Sequence, residues 1–300
     1  MIEDVYYQRG FPDPVFADDY VLSLARPFAP GAKAVTGVDE TGGEARTYAI
    51  DGDIILKVQR PQQLRLSTSL EREVFFLRQL EKHDAGVSVP RVLGYGKEGT
   101  VEYTVMTRMR GDAVIRSELT AAQKSAVLYE LGTQLARIHR LDARPFYESG
   151  LFPYAAKTAE DVGEMFMFMF ERSLGWMRIN LPQPEKDEAC GRAAELAGRI
   201  KDAIAASCSV YIVPCHANPG PMHTFVDCGR YSGLIDFGDS YINHPVFDIR
   251  RWPIADRARI LEGYKSEAET DAAFDEVYNI SVEIDAIAEE LQRRAAQSQQ

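Results

Sequence analysis

The chain lacks what would recommend it to nucleic acid or to lipid. Its 300 residues carry 34 Lys and Arg against 45 Asp and Glu, a net charge of −11 with histidines neutral. A surface that neutralises phosphates needs a basic excess, so nucleic acid is not expected as a partner. No run of about 18 apolar residues occurs, which argues against a membrane span. The start, Met1-Ile2-Glu3-Asp4, has neither the basic n-region nor the apolar core of a secretory signal, and a cytoplasmic location is expected. Cysteine is scarce: Cys190, Cys208, Cys215 and Cys228 form no CxxC pair and no disulfide-framework spacing, as in a reducing compartment. The acidity is uneven. Residues 1–112 hold 14 basic and 17 acidic residues, and the rest hold 20 and 28, so an acidic rear half would draw a cationic small molecule. None of this bears on oligomeric state.

What is present is enough material for one large domain or two small lobes. Residues 33–60 read as β structure, with Asp51-Gly52-Asp53 as a hairpin turn between Thr47–Ile50 and Ile54–Val58. Thr68 and Glu71 make a capping-box pattern ahead of a helix over 69–82, in which Leu70, Val74 and Leu77 recur at helical spacing. Strands are expected near 90–96 and 101–107. Thr120 and Gln123 open a helix with Leu128, Leu131, Leu135 and Ile138 on one face. Residues 159–180, including Met165-Phe166-Met167-Phe168-Met169-Phe170, are apolar nearly all round and are expected to be buried or to line a pocket. Helices follow over 186–207 and 254–295, separated by a loop and strands over 209–238. A small β-rich lobe, residues 1–110, is thus followed by a larger helical one, residues 111–300, which is α+β in class.

The residues suited to chemistry begin with Lys57, set in the run Ile-Ile-Leu-Lys-Val. A lysine there must snorkel to an edge or meet an anion; a plain edge-strand lysine that discourages aggregation is the alternative. Glu73 shares a helical stripe with Phe76, Leu77 and Leu80, where a carboxylate is costly unless paired, and Lys57 is the nearest plausible cation. The alternative is a solvated rim glutamate. Gly42-Gly43 would let a turn close over phosphates through backbone N–H groups, although an ordinary hairpin reads the same way. His216-Ala217-Asn218, His223 and Gly233-Leu234-Ile235-Asp236-Phe237-Gly238 read as a polar loop, a short hairpin and an apolar strand ending on a carboxylate. Asp236 is suited to holding a hard cation against phosphate oxygens. Asp239 is its neighbour or merely solvated, and Asp248 is expected to cap or brace the loop. Cys208, Cys215, His216, His223 and Cys228 fall within 21 residues, but their spacing matches no usual zinc pattern.

In this order these residues resemble the aminoglycoside phosphotransferase and choline kinase group of small-molecule kinases. HANPGPMH at 216–223, LIDFGD at 234–239 and NHPVFDI at 243–249 match the family's catalytic loop, metal strand and following D-P-x-x-D-like run. LKV at 56–58 and EREVFFLRQL at 71–80 look like its lysine strand and glutamate helix. YTVMTRMRGDAV at 103–114 looks like its base-reading hinge, and LGTQLARIH at 131–139 like the helix ahead of the substrate region. The resemblance covers nearly the whole chain. It implies a bilobal protein-kinase-like fold that binds ATP or GTP with Mg²⁺ and moves the γ-phosphate to a hydroxyl of a small molecule, such as an aminoglycoside-like compound or an amino-alcohol. Lys57 would hold the phosphates, Glu73 would orient it, Gly42 and Gly43 would cover them, and Met106, Thr107 and Met109 would contact the base. Asp236 would bind the metal.

Two positions depart from the family pattern. Asn218 stands where a catalytic aspartate is expected; an amide can hold a hydroxyl but cannot take its proton. His223 stands where a metal-binding asparagine is expected; it would ligate the metal, bind phosphate or serve as a displaced base, beside His216 in the same loop. Either a slow or trapped kinase or a nucleotide-binding pseudokinase with a regulatory role fits Asn218. The acceptor region, around 155–185, carries Glu164, Met165, Phe166, Met169, Phe170, Glu171 and Trp176. It suits an amine-bearing acceptor or an apolar alcohol, or is simply core.

Overall fold

The computed structural model describes residues 13–61, 68–153, 155–168, 185–207 and 211–297. Helix α1 (Asp18–Ala25) precedes strands β1 (Val35–Asp39), β2 (Ala45–Ile50) and β3 (Ile54–Gln59). Helix α2 (Ser69–Lys82) and strands β4 (Val92–Glu98) and β5 (Val101–Thr107) follow. The five strands form one antiparallel sheet in the order β1-β2-β3-β5-β4. The expected hairpin is there: Ile50 pairs with Ile54 across a turn in which Asp51 and Gly52 take left-handed φ of 51° and 89°.

Strand alternation decides what each face carries. Tyr48, Ile50, Leu56, Val58, Tyr103 and Val105 point to one side and form a core with Val21, Leu22 and Leu24 of α1. Lys57, flanked by Leu56 and Val58, must therefore point to the other. Helix α2 starts as its sequence predicts, with the Thr68 hydroxyl accepting the Glu71 N–H at 3.3 Å. Its stripe of Leu70, Glu73, Val74, Phe76, Leu77 and Leu80 is buried.

After β6 (Asp112–Ala113), helix α3 (Ala121–Ile138) opens on a reciprocal Thr120–Gln123 box, and the short α4 (Arg144–Glu148) comes next. Residues 159–168 (α5) and Glu185–Ser207 (α6) are helical, followed by β7 (Val213–Cys215), β8 (Thr224–Asp227), β9 (Arg230–Leu234) and β10 (Tyr241–Asn243). The chain closes with α7 (Val246–Ile249), α8 (Ile254–Glu267) and α9 (Ala272–Gln297). β6, β8 and β9 form a second antiparallel sheet, and β7 pairs with β10.

Two compact units interleave along the chain. The first takes Met1–Val127, Arg144–Pro153 and His216–Tyr241; the second takes Leu128–Ala143, Tyr154–Cys215 and Ile242–Gln300. In the second unit Leu196, Ile200 and Ile204 of α6 and Val277, Ile280 and Ile284 of α9 are buried, with Arg199 bridging to Glu276 at 2.8 Å. Helix α5 is one-sided rather than apolar all round: Val162 and Phe166 are buried, while Glu164 is exposed and Phe168 is 48% exposed. Met169, Phe170, Glu171 and Trp176 lie outside the described residues. Among the described residues no helix is long and apolar enough to cross a membrane.

Candidate active site

The far face of the first sheet presents Lys57 to Glu73 of α2. The lysine Nζ donates to both carboxylate oxygens of Glu73, at 2.9 and 3.0 Å, and to Asp236 Oδ1 at 3.0 Å. The Phe237 N–H also donates to Glu73, at 3.3 Å. The Lys57 side chain is 12% exposed and that of Glu73 1%, whereas that of Asp236 is 44% exposed. Burial alone would depress the lysine pKa, but Asp236 and Glu73 reverse this and hold the ammonium above its usual range. Burial raises Glu73, against the pull of Lys57. Asp236 is drawn down to about 2, chiefly by Lys57 and against the cost of burial. One ammonium thus faces two carboxylates, the buried Glu73 and the more exposed Asp236.

Asp236 does not sit on a strand as the sequence suggests. β9 ends at Leu234, and Asp236 heads a single 3-10 turn with φ 70° and ψ 66°. That left-handed conformation is uncommon for a residue with a side chain. It turns the carboxylate off the strand line and towards Lys57. Ala217 is held the same way, with φ 76°. Both strained residues belong to the two segments that face each other here.

His216 supports this arrangement from beneath. It is fully buried; its Nδ1 accepts the Asn218 N–H at 3.2 Å, so its Nε2–H donates to the Ile235 carbonyl at 2.9 Å. Its ring lies 4.3 Å from that of Phe237. Located between the loop and the turn, it positions both. His223 lies 6.3 Å away, its ring stacked over that of His216. Its Nδ1 meets the Asn218 carbonyl at 2.8 Å and its Nε2 lies 3.4 Å from Asp236 Oδ2. Asn218 itself is half-buried at the loop tip.

Two cavities open on this cluster. One, of about 320 Å³, runs from Lys57 and Glu73 to Met106, Thr107, Arg108 and Met109, with Val38, Ala49, Ile55, Phe225 and Ile235 giving it apolar walls. The other, of about 340 Å³, is lined by Lys57, Glu73, Asp236, Asp239, His223 and both glycines of the Gly42-Gly43 turn. That turn is held by Arg60, which donates to the carbonyls of Gly42 and Glu40 at 2.9 and 2.8 Å, and Asp13 bridges Arg60 to Arg46. In the 106–109 segment the N–H of Thr107 is committed to Arg91 and that of Arg108 to Asp53. Arg116 borders both cavities. Sequence reasoning missed it, because no spacing or pattern marks a lysine or arginine in a single 3-10 turn.

The remaining sequence candidates lie elsewhere. Asp248 is fully buried in the second unit and paired with His139 Nε2 at 3.0 Å. The zinc reading gains no support. Cys228 is exposed beside Asp227, the Cys215 thiol points to the carbonyls of Asn243 and His244, and Cys208 lies outside the described residues. Among the described residues the single grouping of three or more His, Cys, Asp or Glu side chains close enough to share a metal is His139, Cys215 and Asp248. It is already satisfied by hydrogen bonds and fully buried.

A buried strand lysine held by a helix glutamate, under a glycine turn and opposite a carboxylate on a turn, defines a protein-kinase-like small-molecule kinase fold. Solved structures agree. The GDP complex of wild-type aminoglycoside 2'-phosphotransferase-IIIa matches with a TM-score of 0.59 at 14% identity, covering 95% of this chain and 94% of that one. Macrolide 2'-phosphotransferase MphH from Brachybacterium faecium matches at 0.57 and 18%, covering 93% of each. ADP-bound aminoglycoside phosphotransferase APH(2'')-Ib matches at 0.56 and 17%, covering 94% and 96%. No curated protein sequence matches the chain. The model of the phosphotransferase enzyme family, APH, matches residues 38–280, and the chain belongs to that family.

Proposed function

We propose that the protein moves the γ-phosphate of ATP or GTP to a hydroxyl group of a small molecule, in the cytoplasm. The observation that carries this reading is the single lysine amine bridging Glu73 and Asp236 within 3.0 Å at the meeting of two cavities. In the apolar cavity the base lies against Val38, Ala49 and Ile55, read by the groups of residues 106–109 that Arg91 and Asp53 leave over. Lys57 holds the phosphates, Glu73 fixes the lysine, and the Gly42-Gly43 turn covers them from above. Asp236 and His223 form a donor set that fits a divalent cation, one anionic oxygen and one imidazole nitrogen 3.4 Å apart. When bound, the ion neutralises charge on the transferring phosphoryl oxygens. Asn218 holds the acceptor hydroxyl in line, and His216 keeps Asn218 in place. Nucleotides and antibiotics bound by the structural relatives, such as streptomycin and ATP with one of them, suggest the acceptor classes to try first.

Transfer through a loose transition state depends mainly on positioning and charge neutralisation, so an amide at 218 leaves a slow enzyme. Calorimetric titration with ATP, GTP and ADP, and phosphate transfer to aminoglycosides, macrolides and amino-alcohols, test the reading. Asn218→Asp is expected to raise turnover by about 10²-fold or more, the usual worth of a general base, and Lys57→Met to remove it. Nucleotide binding without turnover in either form would favour a pseudokinase with a regulatory role, for which Asn218 is the specific argument. No nucleotide binding at all removes both readings.

A further inference from the structure

His223 is arranged as metal-ligating imidazoles are. The Asn218 carbonyl can only accept a hydrogen bond, so the proton of a neutral ring sits on Nδ1. That leaves a lone pair on Nε2, directed at Asp236 Oδ2 from 3.4 Å. Two acceptors facing each other need a proton or a metal cation between them. Histidine ligands characteristically donate their second ring N–H to a backbone carbonyl, which is the contact seen here. Metal bonds of about 2.0–2.2 Å place ligands at right angles roughly 3 Å apart, close to the observed separation. Asp236 divides its oxygens, Oδ1 to Lys57 and Oδ2 to His223, so an ion on Oδ2 leaves the lysine pair intact.

We propose that His223 Nε2 and Asp236 Oδ2 give this protein a mixed nitrogen–oxygen site that prefers divalent first-row transition ions to Mg²⁺. Mg²⁺ takes oxygen ligands and sheds water reluctantly, whereas imidazole raises affinity along the transition series, in which Mn²⁺ is the weakest binder. A preference already visible with Mn²⁺ is therefore the stringent form of the claim. It rests on the kinase reading only in assigning the ion to a nucleotide's phosphates.

The test is Mn²⁺ binding to the full chain, with and without ADP, followed by electron paramagnetic resonance in competition with Mg²⁺. The bound ion is examined for ¹⁴N coupling. Expected are a Mn²⁺ affinity at least tenfold above that for Mg²⁺ and imidazole ¹⁴N coupling. Both ring nitrogens of His216 are occupied, so it would not supply the signal. His223→Asn should abolish the coupling and shrink the preference at least fivefold, with thermal unfolding checked alongside. Mn²⁺ bound without ¹⁴N coupling overturns the proposal even if no variant folds. So does failure to bind Mn²⁺ in either condition, which would leave a proton shared between His223 and Asp236. Coupling without ADP binding supports the site and removes the kinase reading; ADP binding with an uncoupled ion does the reverse.

Discussion

Glu73 shows how one buried charge organises its surroundings. It accepts from Lys57 twice and from the Phe237 N–H once, so strand, helix and turn converge on one carboxylate. Removing one member of a buried pair leaves the other uncompensated, but here Asp236 still holds the lysine. Glu73→Ala is thus expected to cost about 1–3 kcal/mol, less than the usual penalty for breaking a buried pair, as read by urea unfolding. Nucleotide affinity should fall by at least about tenfold, since the freed lysine turns wholly to Asp236. His244 makes a different case. It is fully buried against the rings of Tyr211 and Phe274, accepts the Val246 N–H on Nδ1, and finds no partner for its Nε2–H among the described residues. Burial, reinforced by His139, lowers its pKa to about 3. An unfolded histidine takes its proton near pH 6.5, so the folded state is favoured above that value and loses ground as pH falls towards 3. Between pH 7.5 and 5 the urea midpoint should fall by the equivalent of about 1–2 kcal/mol from this group. His244→Phe should flatten that slope; an unchanged slope would show that other groups set it.

At the scale of elements, strand β9 works by bringing its backbone close to the 106–109 segment. Gly233 leaves no room for a side chain, since a Cβ there would meet the Met109 methyl and sit 2.7 Å from the Ser88 carbonyl. The next residue, Leu234, donates its N–H to that same carbonyl at 3.0 Å. Gly233→Ala is expected to cost about 1–3 kcal/mol through overpacking and to weaken nucleotide binding by pushing Met109 into the apolar cavity. Equal affinity in the variant would separate Met109 from the base site. The same element explains why Asp236 was misplaced: a Gly-Leu-Ile-Asp run continues a strand by composition, and nothing local announces a left-handed turn at an aspartate.

For the whole molecule, any ligand of the folded state alone raises stability by mass action, about 2.7 kcal/mol at a hundred times its Kd. Saturating ADP with a divalent cation should raise the melting temperature by several degrees, and the same addition to Lys57→Met should do little. The net charge of −11 adds a second expectation about the acceptor. If it is a polycation, kcat/KM should fall steeply with added salt as long-range attraction is screened. A neutral acceptor should show almost no salt dependence.

Much of this was legible in one dimension because it follows from period and polarity. Alternation along Ile-Ile-Leu-Lys-Val had to send Lys57 away from Leu56 and Val58. Helical spacing put Glu73 on the stripe of Phe76, Leu77 and Leu80, and the cost of leaving either charge alone favoured its pairing with Lys57 over a solvated rim position. Turn chemistry marked the hairpin at Asp51-Gly52, and the cap at Thr68 marked the start of α2. What no window of sequence could supply is proximity between distant segments: Lys57 against Asp236, 179 residues on, Arg116 at the border of two cavities, and Asp248 paired to His139. Those depend on how strands register and helices pack, where the energy lies in contacts between parts of the chain that carry no local trace of one another.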